Sequence, residues 1–483
     1  MIKILTFFFI PLIIFYSCNS DNASENATTS SANPISGKVK RDLALGALDE
    51  TFGPEKKGFN VFDISGSHDD GFGVLVGPND EIYIAGYARN PEYDIVLWKL
   101  DKNGGLDTSF AGGKGYVVLD DPTGKANGNQ HDFGRALAFA SDGGILVTGQ
   151  AHNGLNYDLI VVKYSTDGVL DQSFGEDKYP VDGKQDGFII YSFSSTSTED
   201  VTAIKVSSEG SIYLAGHSNS SGSDDMMIMK LTSDGRIDQS YNGVGYFLYD
   251  SNAQSEKAYA LTLDASSNVI VGGIANGKPT LWKLNSTGSL DNNFSFGGVE
   301  SFSSKSGDIK SVIMNSEGDI LAAGHILESQ SVRYDMALWK YKASGDIDTT
   351  FGEDHDGNNI KDGYIHHHSA GGTSNGEDFA NAVILDDHDN IIICGHSESS
   401  VSHDPDMTIW RYTKNGVIDT SFGHDKNPAD GSPDGFFLHH NAGGHDQTDQ
   451  CRSLSLDSKG SIITSGFSVS SSEGAQMVVW KVK

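Results

Sequence analysis

This sequence is poor in cysteine, in proline and in basic residues. Three cysteines in 483 residues exclude a small scaffold held together by many disulfides. Lysine and arginine total 34 against 65 aspartates and glutamates, so the formal net charge is −31. That charge opposes binding to nucleic acid or to an anionic bilayer through a basic patch. We therefore expect no nucleic-acid partner.

Long apolar runs and common enzyme motifs are also scarce. The apolar run from Ile4 to Tyr16 is shorter than the roughly 20 residues that a spanning helix needs. The sequence contains neither an HExxH motif nor a P-loop. No catalytic residue is assigned on this basis. Missing motifs do not exclude an enzyme, because an active site can gather residues from distant segments.

The first 18 residues are typical of a targeting segment. Lys3 supplies the positive region and the apolar run follows it. The run ends in Phe15-Tyr16-Ser17-Cys18, which resembles a bacterial lipobox, where the cysteine is lipidated. The alternative is an ordinary secretory signal that is cleaved nearby. We expect residues 1–18 to be a lipoprotein signal peptide, Cys18 to carry the lipid, and the protein to lie on the bacterial cell envelope, at the outer membrane or cell surface.

Residues 19–42 are mostly Ser, Asn, Thr and Ala, with little apolar content. This composition predicts a flexible tether that reaches roughly 25–30 Å as a random coil. The two cysteines that remain, Cys394 and Cys451, lie in apolar strand patterns. We predict that both are small buried hydrophobic residues and do not form a disulfide or a metal pair.

A unit that recurs seven times occupies residues 43–483. In each copy an apolar stretch ends in a basic residue, and an aspartate follows eight residues later. The six intact pairs are Lys99/Asp107, Lys163/Asp171, Lys230/Asp238, Lys283/Asp291, Lys340/Asp348 and Arg411/Asp419. The seventh is split, since Asp49 opens the series and Lys481 closes it. Residues equidistant from a turn face each other across an antiparallel hairpin, so each pair is predicted to be a cross-strand ion pair.

Each unit contains four strand-like segments separated by turn sequences such as Asp142-Gly143. The five tryptophans all occupy one position of the unit, which favours packing between neighbouring sheets. Four-stranded units that repeat in this way predict an all-β fold, a seven-bladed β-propeller of antiparallel blades. The chain begins with a fourth strand, at about residues 46–65, and ends with a third strand, at about residues 476–482. The N-terminal strand should therefore complete the last blade, with Asp49 beside Lys481.

The repeat also resembles a known family. The closest copies are Gly168-Val-Leu-Asp171-Gln-Ser-Phe174-Gly175 and Gly416-Val-Ile-Asp419-Thr-Ser-Phe422-Gly423. These segments, followed by an AxxxxxDGxIxVAG pattern and a DxxLWKY pattern, look like the delta-60 repeat of bacterial secreted proteins. The resemblance covers nearly all of residues 46–482. It implies a propeller-like repeat protein and brings no catalytic residues with it.

Two sets of residues are candidates for a binding face at the mouth of the central channel. The first is an acidic ring at the start of the innermost strands, formed by Asp69, Asp132, Glu199, Glu256, Asp378 and Asp449. Its alternative role is to cap backbone N–H groups in the loops between blades. The second set follows the glycine of each second strand and comprises Tyr87, Gln150, His217, Ile274, His325, His396 and Phe467. These residues vary among copies, and their alternative is an ordinary surface role.

Acidic loops and histidine runs are candidates for metal sites. Asp354, Asp356, Asn358 and Asp362 have a spacing that can place oxygen ligands around Ca²⁺, with solvated turns as the alternative. Two related loops carry their aspartates further apart, at Asp177, Asp182 and Asp186 and at Asp425, Asp430 and Asp434. The runs His366-His367-His368 and His439-His440 are candidates for a transition metal, or are simply exposed. No cofactor other than Ca²⁺ is indicated.

These features favour a non-catalytic, envelope-anchored propeller that binds a protein or glycan partner through its channel-mouth face. We expect a monomer whose membrane contact is the lipid anchor. One alternative is a hydrolase or lyase that acts on extracellular polysaccharide. Another is an adhesive or structural surface protein stabilised by calcium.

Overall fold

The computed structural model of the protein describes residues 45–483, except 65, 90, 125–130, 179–183, 252–254, 329–332, 373–375, 400–403, 425–432, 445–446 and 471–473. The predicted signal peptide, Cys18 and the tether lie outside the described residues. Within these residues the regular elements are 28 β-strands and two short 3₁₀ turns, Ala111–Gly113 and Tyr241–Gly243. Within the described part of the chain, no helix has the length and apolar character needed to cross a membrane.

The strands form seven antiparallel sheets of four strands, which confirms the all-β, seven-bladed propeller. Each sheet is one blade, and its strands follow one another outward from the central channel. Blade 1 contains β2 (Asp69–Val76), β3 (Ile82–Arg89), β4 (Tyr93–Leu100) and β5 (Tyr116–Leu119). Blade 2 contains β6 (Phe133–Phe139), β7 (Ile145–His152), β8 (Tyr157–Tyr164) and β9 (Phe188–Tyr191). Blade 3 contains β10 (Glu199–Val206), β11 (Ile212–Ser218), β12 (Asp225–Leu231) and β13 (Tyr246–Tyr249).

The remaining blades repeat the same order. Blade 4 contains β14 (Glu256–Leu263), β15 (Val269–Ala275), β16 (Lys278–Leu284) and β17 (Val299–Ser301). Blade 5 contains β18 (Ser306–Met314), β19 (Ile320–Glu328), β20 (Arg333–Tyr341) and β21 (Tyr364–His367). Blade 6 contains β22 (Asp378–Leu385), β23 (Ile391–Glu398), β24 (Pro405–Tyr412) and β25 (Phe436–His439). Blade 7 contains β26 (Asp449–Leu456), β27 (Ile462–Ser470), β28 (Gly474–Val482) and β1 (Phe59–Phe62).

The two ends of the chain close the ring, as predicted. Strand β1 pairs antiparallel with β28, and Phe59 lies opposite Trp480. The backbone N–H of Asp49 donates to the carbonyl of Lys481 at 2.9 Å, and their side chains approach to 3.9 Å. Lys481 lies closer to Asp457, at 2.8 Å. The strand is shorter than the predicted residues 46–65, because residues 50–58 form turns.

All seven predicted ion pairs are present, six at hairpins and one where the ring closes. The distances are 3.1 Å for Lys99–Asp107, 2.9 Å for Lys163–Asp171, 2.9 Å for Lys230–Asp238, 3.8 Å for Lys283–Asp291, 3.2 Å for Lys340–Asp348, 2.8 Å for Arg411–Asp419 and 3.9 Å for Lys481–Asp49. The aspartate also accepts hydrogen bonds from the residue two positions later, as in Ser109 N–H to Asp107 at 2.9 Å. Each pair therefore fixes the register and the turn of its hairpin.

Tryptophan packs between blades, as its repeat position indicates. All five tryptophan side chains are fully buried. Trp98 of blade 1 lies in a cluster with Met477 and Val479 of blade 7, and Trp410 of blade 6 lies with Leu338 of blade 5. Burial of a large side chain at each such interface contributes about 1.5–3 kcal/mol. The hydrophobic core is thus a series of inter-blade layers.

The glycine of each second strand is needed for close approach to the innermost strand. A Cβ added at Gly86, Gly149, Gly216, Gly273, Gly324, Gly395 or Gly466 would lie between 1.8 and 2.0 Å from a carbonyl oxygen of that strand. At the same level the pairing of the two strands shifts by one residue in every blade. Each innermost strand therefore carries a β-bulge.

Cys394 and Cys451 form a disulfide, so the prediction of two free buried cysteines is wrong. Cys394 lies on β23 of blade 6 and Cys451 on β26 of blade 7, with Cα atoms 5.9 Å apart. The two residues are 57 positions apart in sequence. Their contact arises because neighbouring blades pack face to face, and strand patterns within one copy carry no sign of it.

Candidate binding site at the channel mouth

The seven bulges place one side chain per blade in the central channel. The bulged residues are Phe72, Arg135, Thr202, Tyr259, Lys310, Asn381 and Arg452, and we call them the bulge ring. They line a cavity of about 500 Å³ to which all seven innermost strands contribute. The residue after the bulge is glycine, alanine or serine in every blade, which keeps the cavity open. This volume is within the range of small-ligand sites.

The bulge ring is basic, although the protein as a whole is strongly acidic. Among the residues that line the cavity, four are basic and one is acidic. The basic residues are Arg135, Lys205, Lys310 and Arg452, and the acidic residue is Asp200. Clefts lined by charges of one sign concentrate the field and attract ligands of the opposite sign. The channel is therefore suited to an anionic group.

Phe72 lies between the two arginines of the ring. The guanidinium carbon of Arg135 is 4.8 Å from the centroid of the Phe72 ring, and that of Arg452 is 4.9 Å from it. Nε and Nη2 of Arg452 also lie 3.4 and 3.3 Å from Oδ2 of the buried Asp70. A guanidinium has five N–H donors, and contact with an aromatic face uses none of them. Both arginines therefore keep donors for a ligand.

Arg135 has the fewest polar contacts of the three cations. Its Nε lies 3.8 Å from Oδ1 of Asp200, which is beyond hydrogen-bond distance. This buried Nε has no hydrogen-bond partner among the described residues, and neither has Asp200 Oδ1. A buried donor without a partner costs about 1–3 kcal/mol. A bound anion or water would remove that cost.

Lys310 and Lys205 supply the remaining two positive charges that line the cavity. Nζ of Lys310 lies 3.6 Å from the centroid of the Tyr259 ring and 2.7 Å from Asp308. Lys205 lies three residues beyond the bulge of its strand, about 10 Å further along the channel at strand rise. It forms no hydrogen bond or ion pair with the described residues, and burial lowers its pKa to about 7. An anion next to Lys205 would raise that pKa again.

The predicted residues of the second strands lie directly behind this ring. Tyr87, Gln150, His217, Ile274, His325, His396 and Phe467 pair across the sheet with residues two positions before the bulges. Phe467 packs under Arg452, with its ring centroid 5.0 Å from the guanidinium carbon. The second-strand set therefore supports the ring.

The three histidines of this set are held in their neutral form. Burial lowers the pKa of His217, of His325 and of His396, the last to about 3, and the charge of Arg452 adds to the effect at His396. The ring of Phe379 lies between His325 and His396, 4.8 Å from each. Neither histidine belongs to a group of three potential metal ligands among the described residues.

The predicted acidic ring does not face the channel. Asp69, Asp132, Glu199, Glu256, Asp378 and Asp449 are all essentially fully buried. Asp69 accepts a backbone N–H from Ile64 at 2.7 Å, and Asp132 accepts one from His152 at 2.8 Å. Burial raises the pKa of Asp132, Asp378 and Asp449 to about 7. These carboxyl groups hold the loops between blades, which was the alternative reading of the pattern.

The loop that was predicted to bind calcium does gather its aspartates. Carboxylate oxygens of Asp354, Asp356 and Asp362 lie within 4.8 Å of one another. Both oxygens of Asp354 also accept backbone N–H groups, including Gly357 and Asn359 at 2.8 Å. Oδ1 of Asn358 accepts the N–H of Ile360 at 2.7 Å. Of the related loops, Asp182, Asp425 and Asp430 lie outside the described residues.

The bulge ring was not predicted from the sequence, although the basic residues within the innermost strands indicate it. Arg135, Lys205, Lys310 and Arg452 each interrupt an innermost-strand pattern of small and apolar residues. A cation inside such a strand is costly unless it reaches a polar space. The predicted acidic residues lie three positions before the bulges, on the opposite face of the strand.

Comparison with known proteins supports a propeller repeat family. Residues 77–110, 140–174, 208–241 and 389–422 match a β-propeller family described as a domain of unknown function, DUF5122. No curated protein matches the sequence. The matched segments run from the turn before the second strand of a blade to the hairpin aspartate and the residues after it.

Several solved structures are similar to this chain at low sequence identity. The polysaccharide lyase Uly1 is 11% identical, with 92% of this chain and 98% of that chain covered and a TM-score of 0.47. PorZ, a surface component of the type-IX secretion system of Porphyromonas gingivalis, is 9% identical, with 87% of this chain covered and a TM-score of 0.44. This chain covers 47% of PorZ. Sqt1 from Chaetomium thermophilum is 12% identical, with 88% and 100% of the two chains covered and a TM-score of 0.39.

Proposed function

We propose that this protein is a non-catalytic propeller, anchored to the bacterial envelope through Cys18, that binds a partner at the mouth of its channel. The observation that carries the proposal is the bulge ring, where seven equivalent positions hold seven side chains of differing chemistry around an open cavity. The hairpin ion pairs and the second-strand glycines, by contrast, recur in every blade because every blade needs them to fold. A position that is structurally equivalent and chemically different is where a repeat protein is free to carry a function.

The chemistry of the ring favours a partner that presents carboxylate or sulfate groups, on a glycan or on a protein. Arg135 donates no hydrogen bond to the described residues and Lys205 has no partner there. Arginine recognises carboxylates in a bidentate manner, and the adjacent aromatic ring fixes its position. An acidic protein that keeps positive charge in one cavity would attract anions to that cavity and repel them elsewhere.

The carboxylates at the mouth support binding over acid–base catalysis. Asp70, Asp200 and Asp308 each lie within 4.0 Å of a basic side chain, Arg452, Arg135 and Lys310 respectively. A glycoside hydrolase needs a pair of carboxyl groups in which one acts as an acid and one as a base or nucleophile. Of the three, only Asp200 lines the cavity, so the described residues of the cavity do not present such a pair.

The disulfide supports the proposed location. Structural disulfides persist in oxidising compartments such as the periplasm and the cell surface and are rare in the cytosol. Cys394–Cys451 joins two blades of the propeller core. Export through the targeting segment of residues 1–18 would expose the chain to that environment.

The binding proposal is tested with two variants of equal charge change. R135Q/K205M removes the two cations without hydrogen bonds in the channel, and R236Q/K102Q removes two exposed cations from hairpin loops. Full-length protein is applied to an array of carboxylated, sulfated and neutral oligosaccharides and of acidic peptides. We expect binding to the anionic probes that falls at least tenfold in the channel variant only. Equal binding by both variants would contradict the proposal.

The anchor is tested separately by replacing Cys18. In cells, the C18A variant should lose metabolic labelling with palmitate and leave the membrane fraction. Labelling that persists in the variant would show that Cys18 is not the lipidation site. This result is independent of the channel, so the two halves of the proposal can fail separately.

We keep calcium binding by Asp354, Asp356 and Asp362 as a second proposal for the surface of blade 5. Their oxygens already converge, and Ca²⁺ is coordinated by six to eight oxygens. Calcium would add stability in proportion to its affinity. We expect millimolar calcium to raise the melting temperature of wild type but not of D354N/D356N, and an unchanged midpoint in EGTA would count against it.

A further inference from the structure

Two histidines and one aspartate converge on the outer part of blade 5. Asp335 lies on β20, and His366 and His368 lie on β21 and directly after it. One potential ligand atom from each residue lies within 4.8 Å of the other two. Nδ1 of His366 is 3.0 Å from Oδ2 of Asp335. None of these residues belongs to the channel or to the acidic loop described above.

Strand geometry explains why the three side chains meet. His366 lies on β21 and His368 directly follows the strand, and their ring centroids are 6.2 Å apart. Met336 pairs with His367, and continuing this register places Asp335 opposite His368. Two of the three residues, Asp335 and His366, are therefore held by hydrogen-bonded strands, and His368 is the first residue after β21.

Neighbouring groups fix the cluster in place. Asp335 is only 6% exposed. The ring of His355 lies 4.9 Å from that of His366 and 4.5 Å from that of Tyr364. His368 is exposed at the open side of the cluster. A ligand can thus reach the three side chains from solvent, while their inner side is packed.

Comparison among blades shows that the aspartate of the cluster recurs, whereas the pair of histidines does not. The aspartate recurs at the same strand position as Asp94, Asp158, Asp225 and Asp406. In blade 6, Thr408 pairs with Leu438 and Met407 with His439, so Asp406 lies opposite His440. Leu438 therefore stands where blade 5 has His366. Blade 6 retains the aspartate and one histidine and lacks the second, which makes it a natural control.

We propose that Asp335, His366 and His368 bind a divalent first-row transition-metal ion, for which Zn²⁺ is the probe. Two imidazoles and one carboxylate are a common ligand set for Zn²⁺ in sites that keep a fourth position open. Ligands about 2.0–2.1 Å from a tetrahedral ion lie roughly 3.3 Å from one another, close to the His366–Asp335 separation. Small side-chain rotations bring the third ligand in without moving the strands.

The test is a titration of full-length, untagged protein with ZnCl₂ after EDTA treatment and dialysis. We expect one equivalent to bind by calorimetry, and Co²⁺ to give the visible absorption of a low-coordinate site. H366L copies the residue of blade 6 and should weaken binding by 10-fold or more, as should D335N. H440A removes the matching histidine of blade 6 and should leave the titration unchanged.

Two results would overturn the proposal. One is a wild-type titration that H366L does not weaken, and the other is an equal loss in H440A, which would point to adventitious histidine binding. D354N/D356N is a further control, since retained zinc binding separates this cluster from the acidic loop. Melting in EDTA should be the same for wild type and H366L, which shows that any loss of binding is not a loss of folding.

Discussion

The hairpin ion pairs and the bulge ring lie in the same seven blades and differ in almost every respect. The hairpin pairs repeat one chemistry, a cation with an aspartate eight positions later, because every blade needs the same turn and register. The bulge positions share one backbone geometry and carry seven side chains of mixed chemistry. At the hairpins every cation lies beside a carboxylate, whereas in the channel Arg135 makes no hydrogen bond and Lys205 no ion pair with the described residues. Residues that recur in every blade therefore stabilise the fold, whereas positions with the same backbone geometry but different side chains form the candidate site.

Deleting residues 43–65 should have the largest effect on the scaffold. The deletion removes β1, Asp49 and the buried Phe52 and Phe62, which pack in one cluster with Trp98. Loss of two buried phenylalanines alone costs about 3–5 kcal/mol each. We expect the deleted protein to lose its cooperative thermal transition, measured by circular dichroism. A protein without residues 19–42 is the control, and a deleted protein that melts like it would contradict ring closure by β1.

Removing the disulfide should have the next largest effect. Cys394–Cys451 closes a loop of 57 residues, and the chain-entropy relation for that length gives about 4 kcal/mol. The bond also holds the strand that carries Arg452 of the bulge ring. C394A/C451A should unfold at a lower denaturant midpoint than oxidised wild type. Reduced wild type is the matched control, and a midpoint unaffected by dithiothreitol would contradict the disulfide.

The hairpin pairs should differ among themselves according to burial. Arg411 is 1% exposed, and its Nε lies 2.8 Å from Asp419, so D419N leaves a buried cation with a weaker partner. We expect D419N to cost about 2 kcal/mol, as for a hydrogen bond to a charged group. D107N faces the more exposed Lys99 and should cost less than about 1 kcal/mol. Equal costs by urea denaturation would mean that burial does not set the strength of these pairs.

Replacing Arg135 should have the smallest effect on stability. R135Q removes the contact of Arg135 with Phe72 and also removes a buried Nε that has no partner among the described residues. The first loss destabilises and the second stabilises, so the unfolding free energy should change by less than about 0.5 kcal/mol. The same substitution should reduce the affinity for anionic probes. The informative measurement is the pair of values, stability and binding, on one preparation. A large loss of stability in R135Q would show that Arg135 stabilises the fold and would contradict its assignment to the binding site.

Sequence patterns predicted what depends on spacing along the chain. The eight-residue step from Lys99 to Asp107 and the single tryptophan position per unit were sufficient for blade count, hairpin pairing and inter-blade packing. The split pair of Asp49 and Lys481 also predicted the closure of the ring. These features are local, or are repeated often enough to be recognised.

The candidate site was predicted less well, for a geometric reason. The acidic ring was expected in the channel, yet Asp69 and its equivalents are buried, and the residues three positions later line the cavity. A one-residue difference on a strand reverses the face to which a side chain points, and a bulge shifts that alternation again. The bulges are set by contact with the glycines of the next strand, such as Gly86 against Asp70. A single sequence does not reveal that contact.

The sequence by itself determined an all-β propeller of seven closed blades, with the hairpin ion pairs in place. Only the tertiary structure decided which side chains face the channel, that Cys394 and Cys451 are joined, and that Asp335 meets His366 and His368. The physical reason is that blade structure follows from local hydrogen bonding and hydrophobic periodicity, which recur in every copy. Contacts between blades and across bulged strands depend on tertiary packing. They join residues that do not recur at a fixed spacing along the sequence.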